Sequence, residues 1–180
     1  MMSKLVKGQT APDFIFRTPW LENQKFSEWV AKADKTVLIF SRYYGCSLCQ
    51  LDIAEMAESF PKFAAKGAQV LMALQSAPET IQAELKEDSL PFPIILDPEQ
   101  AIYHLYDLNV AEDLKKAINL KTLSRIAKAK LKGFQHGKYE GEENQLQAAL
   151  ILDQNRQVLF VKYAESLSDV PDAEELLALL

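Results

Sequence analysis

Cysteine is rare in this sequence, and this limits the chemistry that the two cysteines can support. Among 180 residues the only cysteines are Cys46 and Cys49. Two cysteines cannot form the disulfide network that stabilises small secreted domains. The first ten residues contain lysines but no apolar core, so we expect no secretory signal and a cytoplasmic location. Thiols are kept reduced in the cytoplasm, where a C-x-x-C pair is catalytic or metal-binding more often than structural.

Histidine is equally scarce, which argues against a metal site. His104 and His136 are the only two histidines. Both lie far along the chain from the cysteines, at spacings that match no common zinc finger. Zinc is therefore a third option behind redox chemistry, and we expect neither a metal nor an organic cofactor.

The sequence also lacks a long apolar run and an excess of positive charge. No segment is long and apolar enough to cross a bilayer, so we expect no membrane partner. The formal net charge is −5, which argues against nucleic acid as the main partner. With 180 residues and 48% hydrophobic composition, the chain can bury one good core. We therefore expect a single domain over residues 1–180.

A buried-strand pattern leads directly into the cysteine pair. Residues 37–40 are apolar or β-branched, which is typical of a buried strand, and the pattern breaks at Gly45. Behind Cys49, apolar residues recur at helical spacing, so the pair is predicted at a strand-to-helix junction. The free N–H groups and positive end of a helix favour a thiolate, the reactive form of cysteine. This pattern indicates a redox site, and the alternative is that both cysteines only fill the core.

Strands and helices alternate along the rest of the chain, which indicates an α/β protein. The predicted strands cover residues 37–40, 70–74, 94–96, 147–153 and 157–163, the last two forming a hairpin. The predicted helices follow the cysteine pair, begin near Ser76 and Pro78, and cover residues 100–106 and 172–180. Pro61 is expected to kink or end the first half of the helix that follows the cysteine pair, and Gly67 to cap the end of its second half.

A further helical pattern is inserted between the predicted strands at 94–96 and 147–153. It covers residues 110–132, and a loop is predicted after it, over 133–144. No acidic residue lies between Asp113 and Glu140, but the segment contains Lys115, Lys116, Lys121, Arg125, Lys128, Lys130, Lys132 and Lys138. The simpler interpretation is a solvated helix face, and the alternative is a surface that binds an anion or a protein partner.

Three motifs resemble the peroxiredoxin-like branch of the alkyl hydroperoxide reductase/thiol-specific antioxidant (AhpC/TSA) superfamily. They are Gly8-Gln-Thr-Ala-Pro-Asp-Phe14, Phe40-Ser-Arg-Tyr-Tyr-Gly-Cys-Ser-Leu-Cys49 and Leu90-Pro-Phe-Pro-Ile-Ile-Leu-Asp-Pro98. The resemblance covers nearly the whole chain. It implies a thioredoxin-like fold of the peroxiredoxin type, with a central mixed sheet flanked by helices and an inserted helical segment around 110–132.

The resemblance leaves open which cysteine attacks. Peroxiredoxins hold the reactive cysteine in Pro-x-x-x-Thr-x-x-Cys, which places Cys49 at the reactive position, Cys46 at the threonine and Arg42 at the proline. The late arginine that supports the thiolate in those proteins would fall on Gln147. By thioredoxin logic Cys46 attacks and Cys49 resolves, but the proline that thioredoxins carry opposite the pair is absent near Ala149.

The first functional hypothesis is a thiol-dependent peroxidase that cycles Cys46 and Cys49 between dithiol and disulfide. Arg42 could lower a thiol pKa and hydrogen-bond a peroxide oxygen, or it could simply pair with a carboxylate. The resemblance implies a peroxide substrate, an external thiol reductant of thioredoxin type and a tendency to form homodimers. The second hypothesis is a thiol–disulfide oxidoreductase acting on protein disulfides, and the third is a binding module without turnover.

Overall fold

A five-stranded mixed sheet forms the centre of the computed structural model, which describes residues 4–180. The strands are, in chain order, β1 (Ile15–Phe16), β2 (Gln24–Lys25), β3 (Lys35–Phe40), β4 (Ala68–Leu74), β5 (Ile94–Leu96), β6 (Ala148–Asp153) and β7 (Val158–Tyr163). The first two form a separate antiparallel pair, and the sheet has the order β5-β4-β3-β6-β7. β3, β4 and β5 are parallel, whereas β6 is antiparallel to both β3 and β7.

Helices cover both faces of this sheet. They are α1 (Phe26–Val30), α2 (Ser47–Ala65), α3 (Pro78–Glu84), α4 (Ala101–Leu105), α5 (Leu120–Leu131) and α6 (Ala173–Leu179). On one face α2, α3 and α6 pack over side chains such as Val37 and Ile39. On the other face α1 and α4 pack over Leu38 and Phe40. Because successive strand residues point to opposite faces, the apolar run of β3 fills both layers, as expected for a central strand.

The predicted thioredoxin-like architecture is confirmed, and most of the predicted elements are present. Gly67 adopts φ +71° directly after α2, the left-handed geometry typical of a residue that ends a helix. Asp172 caps α6 through a reciprocal pair of hydrogen bonds with Glu175. Helix α2 does not end at Pro61 but continues through it to Ala65. The fully buried ring of Phe63 anchors the turn that follows the proline.

The prediction of a helix over residues 110–132 is only partly correct. Val110 forms an isolated bridge with Gln145, residues 111–119 contain a turn at 114–117 but no helix, and the helix begins after Asn119. The Asn119 side chain accepts a hydrogen bond from Thr122 N–H, and the Thr122 hydroxyl accepts one from Asn119 N–H. This capping box fixes the start of α5. Leu114 and Ala117 continue the apolar periodicity before it, but they pack in a separate small cluster with Leu146.

Ion pairs hold α5 on α2. The Arg125 guanidinium contacts the carboxylates of Asp52 and Glu55, the latter at 2.9 Å, and the Arg125 side chain is 14% exposed. Lys128 also pairs with Glu55, and Lys132 pairs with Glu58 at 2.8 Å. Part of the basic segment is therefore neutralised within the fold rather than solvated.

Replacing Arg125 with methionine should destabilise the protein much more than replacing Lys132, which forms an exposed ion pair on the same helix. Burial raises the pKa of the Asp52 carboxyl, and the charge of Arg125 opposes that rise. Without Arg125 this half-buried carboxyl keeps only the Gln147 amide as a polar partner, so we expect the free energy of unfolding to fall by about 2 kcal/mol. Lys132→Ala is the matched control and should cost at most about 1 kcal/mol, because its pair with Glu58 is solvent-exposed. Urea unfolding measures both, and equal losses would contradict the assignment.

Candidate redox site

The junction of β3 and α2 places both cysteines at the start of a long helix. Cys46 is the N-cap of α2 and has extended backbone angles, and its N–H donates to the carbonyl of Tyr43 at 3.1 Å. Cys49 lies in the first turn. Both residues are buried, Cys46 with 3% and Cys49 with 1% of its surface exposed, and both are free thiols. The two cysteines belong to one small buried cluster with Tyr43 and Leu48.

The two thiols differ in acidity. A hydrogen bond from the Cys49 thiol, the charge of Arg42 and the N–H groups of Leu48 and Cys49 lower the pKa of Cys46 to about 7, against the effect of burial. Burial raises the pKa of Cys49 far above its usual value, and the negative charge of an ionised Cys46 adds to that rise. Cys46 is therefore the thiolate of the pair near neutral pH, and Cys49 is the thiol.

Arg42 is a buried cation that faces the Cys46 sulfur. Its Nη1 lies 3.7 Å from Cys46 Sγ, and its Nη2 donates to the Tyr43 hydroxyl at 3.4 Å. Arg42 is 6% exposed, and no carboxylate pairs with it anywhere in residues 4–180. A buried charge without a counter-ion is costly. An ionised Cys46 would supply that counter-ion, and among residues 4–180 the alternative of an arginine paired with a carboxylate does not hold.

The backbone around Arg42 is fixed by neighbouring strands and by α4. The Arg42 carbonyl accepts from Gln75 N–H at 2.7 Å, and Ser41 N–H donates to the Ala73 carbonyl at 3.0 Å. From the opposite face of the sheet, the buried Tyr103 hydroxyl donates to the Ser41 carbonyl at 2.7 Å. The guanidinium is therefore held in place before any substrate arrives, which is the condition for effective electrostatic stabilisation.

A loop from a distant part of the chain covers the site. In this covering loop, residues 134–140, Gly137 N–H donates to the Gly45 carbonyl at 2.7 Å. A Cβ atom on Gly45 would lie 2.1 Å from the carbonyl oxygen of Lys138, so only glycine fits there. The His136 ring is 3.1 Å from the Tyr43 hydroxyl, and its ring centroid lies 4.2 Å from that of Tyr139. Sequence reasoning missed these residues, since nothing local in the loop points to the cysteines.

Helix α5 forms another wall of the site. Ile126, on its inner face, packs against the cluster of Tyr43, Cys46, Leu48 and Cys49. Helix α5 therefore lines the redox site in addition to packing on α2.

Two positions singled out by the comparison of sequence motifs lie at or beside the start of β6. Gln147, at the place of the supporting arginine, donates to the Asp52 carboxylate at 2.7 Å. Ala149 lies within β6, opposite Ile39, and not in a loop before that strand. Among the described residues no group of three or more histidine, cysteine or acidic side chains could hold a metal ion. His136 contacts Tyr43, and His104 lies on α4.

Comparison with known proteins identifies the family of the chain. The AhpC/TSA family model matches residues 7–161. The chain belongs to the AhpC/TSA family. The search of curated proteins found no match. Within residues 4–180 no helix is long and apolar enough to cross a membrane.

Solved structures show that the fold of this AhpC/TSA protein is shared with peroxiredoxins and with a thiol:disulfide interchange protein. A yeast mitochondrial 1-Cys peroxiredoxin has a TM-score of 0.66 and 16% identity, over 96% of this chain and 73% of its own. Peroxidoxin BcpB from Mycobacterium tuberculosis has a TM-score of 0.66 and 14% identity, over 96% and 94%. A Chlorobium tepidum protein described as thiol:disulfide interchange protein DsbE has a TM-score of 0.61 and 19% identity, over 98% and 96%.

The reactivity of Cys46 should follow an apparent pKa near 7. The thiolate fraction rises with pH through that value, so alkylation by iodoacetamide should accelerate between pH 6 and 8 and then level off, with the pKa of about 7 as its midpoint. Arg42→Met removes the positive charge and should slow alkylation at pH 7 several-fold as the pKa rises, while the larger effect of the Cys49 hydrogen bond remains. Arg42→Lys keeps the positive charge, and its alkylation rate at pH 7 should lie between those of wild type and Arg42→Met. An unchanged profile in Arg42→Met would exclude Arg42 as the cause.

Gly45→Ala should expose the site by displacing the covering loop. The added methyl group would collide with the backbone of Lys138, which cannot move without shifting the loop. We expect Cys46 to be alkylated at least about threefold faster, because the open state becomes more populated. Gly137→Ala is the matched control, since its Cβ would meet Gly45 at an ordinary 3.4 Å. If both variants react like wild type, the loop does not limit access.

Proposed function

We propose that this chain is a thiol-dependent peroxide reductase in which Cys46 attacks the peroxide and Cys49 resolves the product. The observation that carries the proposal is the buried Arg42 guanidinium, whose counter-ion is the Cys46 sulfur. Arg42 stabilises the attacking thiolate. It can also stabilise the negative charge that develops on the departing peroxide oxygen. Its Nε–H has no acceptor among the described residues, which leaves a donor for a substrate oxygen.

The proposed reaction uses two sulfurs and one peroxide. The Cys46 thiolate attacks one peroxide oxygen and the O–O bond breaks, giving a sulfenic acid at Cys46. The other oxygen leaves with the electron pair and takes up a proton, forming water or an alcohol. The Cys49 sulfur then attacks Cys46 Sγ, and the hydroxyl group leaves as water with the proton of the Cys49 thiol. The product is a Cys46–Cys49 disulfide, and the peroxide has accepted two electrons.

The assignment of the roles follows the thiol environments. The ungapped peroxiredoxin pattern would make Cys49 the attacking residue, but burial keeps Cys49 protonated. Cys46 has the lowered pKa, the arginine and the helix-cap position. The proposed enzyme therefore combines peroxiredoxin-type chemistry with the order of attack used by thioredoxins.

Burial favours a small substrate over a folded protein. Cys46 is 3% exposed and lies beneath the covering loop, so a protein disulfide could reach it only after that loop moves. A peroxide needs far less space.

Thiol–disulfide exchange on proteins is the second candidate function. It is supported by two features that thioredoxin-type sites also have, a reactive cysteine at the N-cap and a buried second cysteine one turn later. A binding module without turnover would have no use for the lowered pKa of Cys46.

The other expectations from the sequence stay predictions. The chain has no third cysteine, so an external thiol must reduce the disulfide. The cytoplasmic location, where such reductants act, and the homodimeric state are still to be measured.

Hydrogen peroxide added to the reduced protein and to each Cys→Ser variant tests the proposal. Mass and free thiols are followed with time. The wild type should lose both thiols together. Cys49→Ser should stop at a sulfenic acid on Cys46, and Cys46→Ser should react no faster than free cysteine.

Two results would overturn the proposal or its roles. If wild type reacts with peroxide no faster than free cysteine, the peroxidase function is wrong and thiol–disulfide exchange becomes the better candidate. If the sulfenic acid instead forms on Cys49 in the Cys46→Ser variant at the wild-type rate, the peroxide reductase stands but the roles are reversed.

A further inference from the structure

Helix α5 exposes an apolar stripe on its outer face. Leu120, Leu123, Ala127 and Leu131, here called the outer stripe, follow one another at intervals of three or four residues and so lie on one side of the helix. Leu120 is 85%, Leu123 53% and Leu131 89% exposed. The described residues contain ten large apolar side chains that are strongly exposed, and six of them lie between residues 110 and 139: Val110, Ile118, Leu120, Leu123, Leu131 and Tyr139. Such a concentration marks an interaction site more often than chance exposure.

Lysines flank the outer stripe on both sides. At 100° per residue, Lys121 and Lys128 lie beside one edge of the stripe and Lys130 beside the other. Of the twenty basic residues in the chain, eight lie between residues 114 and 139, and none of the twenty-five acidic residues does. Arg125 is committed to the interface with α2. Lys121 pairs with Glu175 at 3.6 Å and Lys128 with Glu55, although both lysine side chains stay about half exposed, whereas Lys130 has no acidic partner within residues 4–180. The outer stripe therefore fits an apolar surface with an acidic rim.

A second copy of α5 does not meet this requirement. If two outer stripes packed together, the flanking lysines of one helix would face those of the other, and like charges at such positions oppose association. The complementary surface has to belong to a different, acidic partner.

The position of α5 indicates what that partner does. Through Ile126 its inner face packs against the cluster that contains both cysteines, and its C-terminal end leads directly into the covering loop. A partner seated on the outer stripe would contact the segment that has to move before a large molecule can reach the Cys46–Cys49 disulfide.

We propose that the outer stripe of α5 is the docking surface for an acidic dithiol protein that reduces the Cys46–Cys49 disulfide. The proposal rests on the proposed function, which produces that disulfide. A partner thiolate attacks Cys46 Sγ, the S–S bond breaks, and Cys49 leaves and takes up a proton. The second partner thiol then attacks the mixed disulfide and loses its proton. The partner is oxidised to a disulfide, and Cys46 is released as the thiolate.

The test compares reduction by a protein with reduction by a small molecule. Full-length protein is oxidised with diamide, and its reduction is followed with a purified thioredoxin of net negative charge or with dithiothreitol. Leu123→Ser/Leu131→Ser should slow reduction by thioredoxin at least about tenfold, a loss typical of removing apolar contacts from an interface. Reduction by dithiothreitol should stay within about twofold of wild type, since these side chains do not contact the sulfurs. Ile15→Ser changes an apolar side chain on β1 that is about as exposed as Leu123, and as the matched control it should change neither rate.

A charge variant separates electrostatic from apolar contributions. Lys130→Glu should slow reduction by thioredoxin several-fold at low salt and lose that effect as salt is added, because exposed charges are screened.

The outcomes are distinct. The proposal is overturned if thioredoxin reduces the double variant as fast as wild type, or if it reduces wild type no faster than dithiothreitol does. It is also overturned if the double variant loses only binding to phosphatidylglycerol vesicles, which would make the stripe a membrane surface. Because diamide forms the disulfide, the docking result does not depend on peroxide. If the protein does not react with peroxide but its reduction by thioredoxin depends on the outer stripe, the peroxidase function is refuted and the docking proposal stands.

Discussion

A buried guanidinium without a carboxylate is the constraint on which the site depends. Removing the charge of Arg42 from water is unfavourable, and the fold offers it the Cys46 sulfur and the Tyr43 hydroxyl as its polar partners. Arginine stays charged at any physiological pH, so the energy of the arrangement is lowered by ionising the thiol beside it. The reactivity of Cys46 is therefore a property of how the end of β3 is built.

The elements around this pair serve to keep it in place and to keep water out. β4 and α4 fix the backbone on either side of Arg42, while α5 and the covering loop close over the thiols. Few apolar side chains of α5 face inward, among them Ile126 and Ala129. The ion pairs with α2 therefore contribute much of the contact that holds α5 in place. Exclusion of water strengthens the interaction of Arg42 with the thiolate.

The sequence predicted those parts of the structure that depend on local patterns. The strands, the hairpin and the junction at the cysteine pair follow from apolar periodicity and turn residues, and Gly67 and Asp172 ended and began helices as expected. The start of α5 was missed because Leu114 and Ala117 keep a helical spacing while packing in turns. The contact of Tyr43 with His136 joins residues 93 positions apart, and no local signal indicates such a contact. Whether Arg42 would meet a carboxylate likewise depended on tertiary packing alone.

The closeness of the two sulfurs has a kinetic consequence for the proposed cycle. Cys46 and Cys49 lie at the start of α2, one turn apart in the same buried cluster, so resolution is a unimolecular step with a high effective concentration of the second thiol. Its rate does not depend on how much protein is present or on whether the chain is paired with another copy. The sulfenic acid is then short-lived, and a second peroxide has little time to drive it to the irreversible sulfinic state.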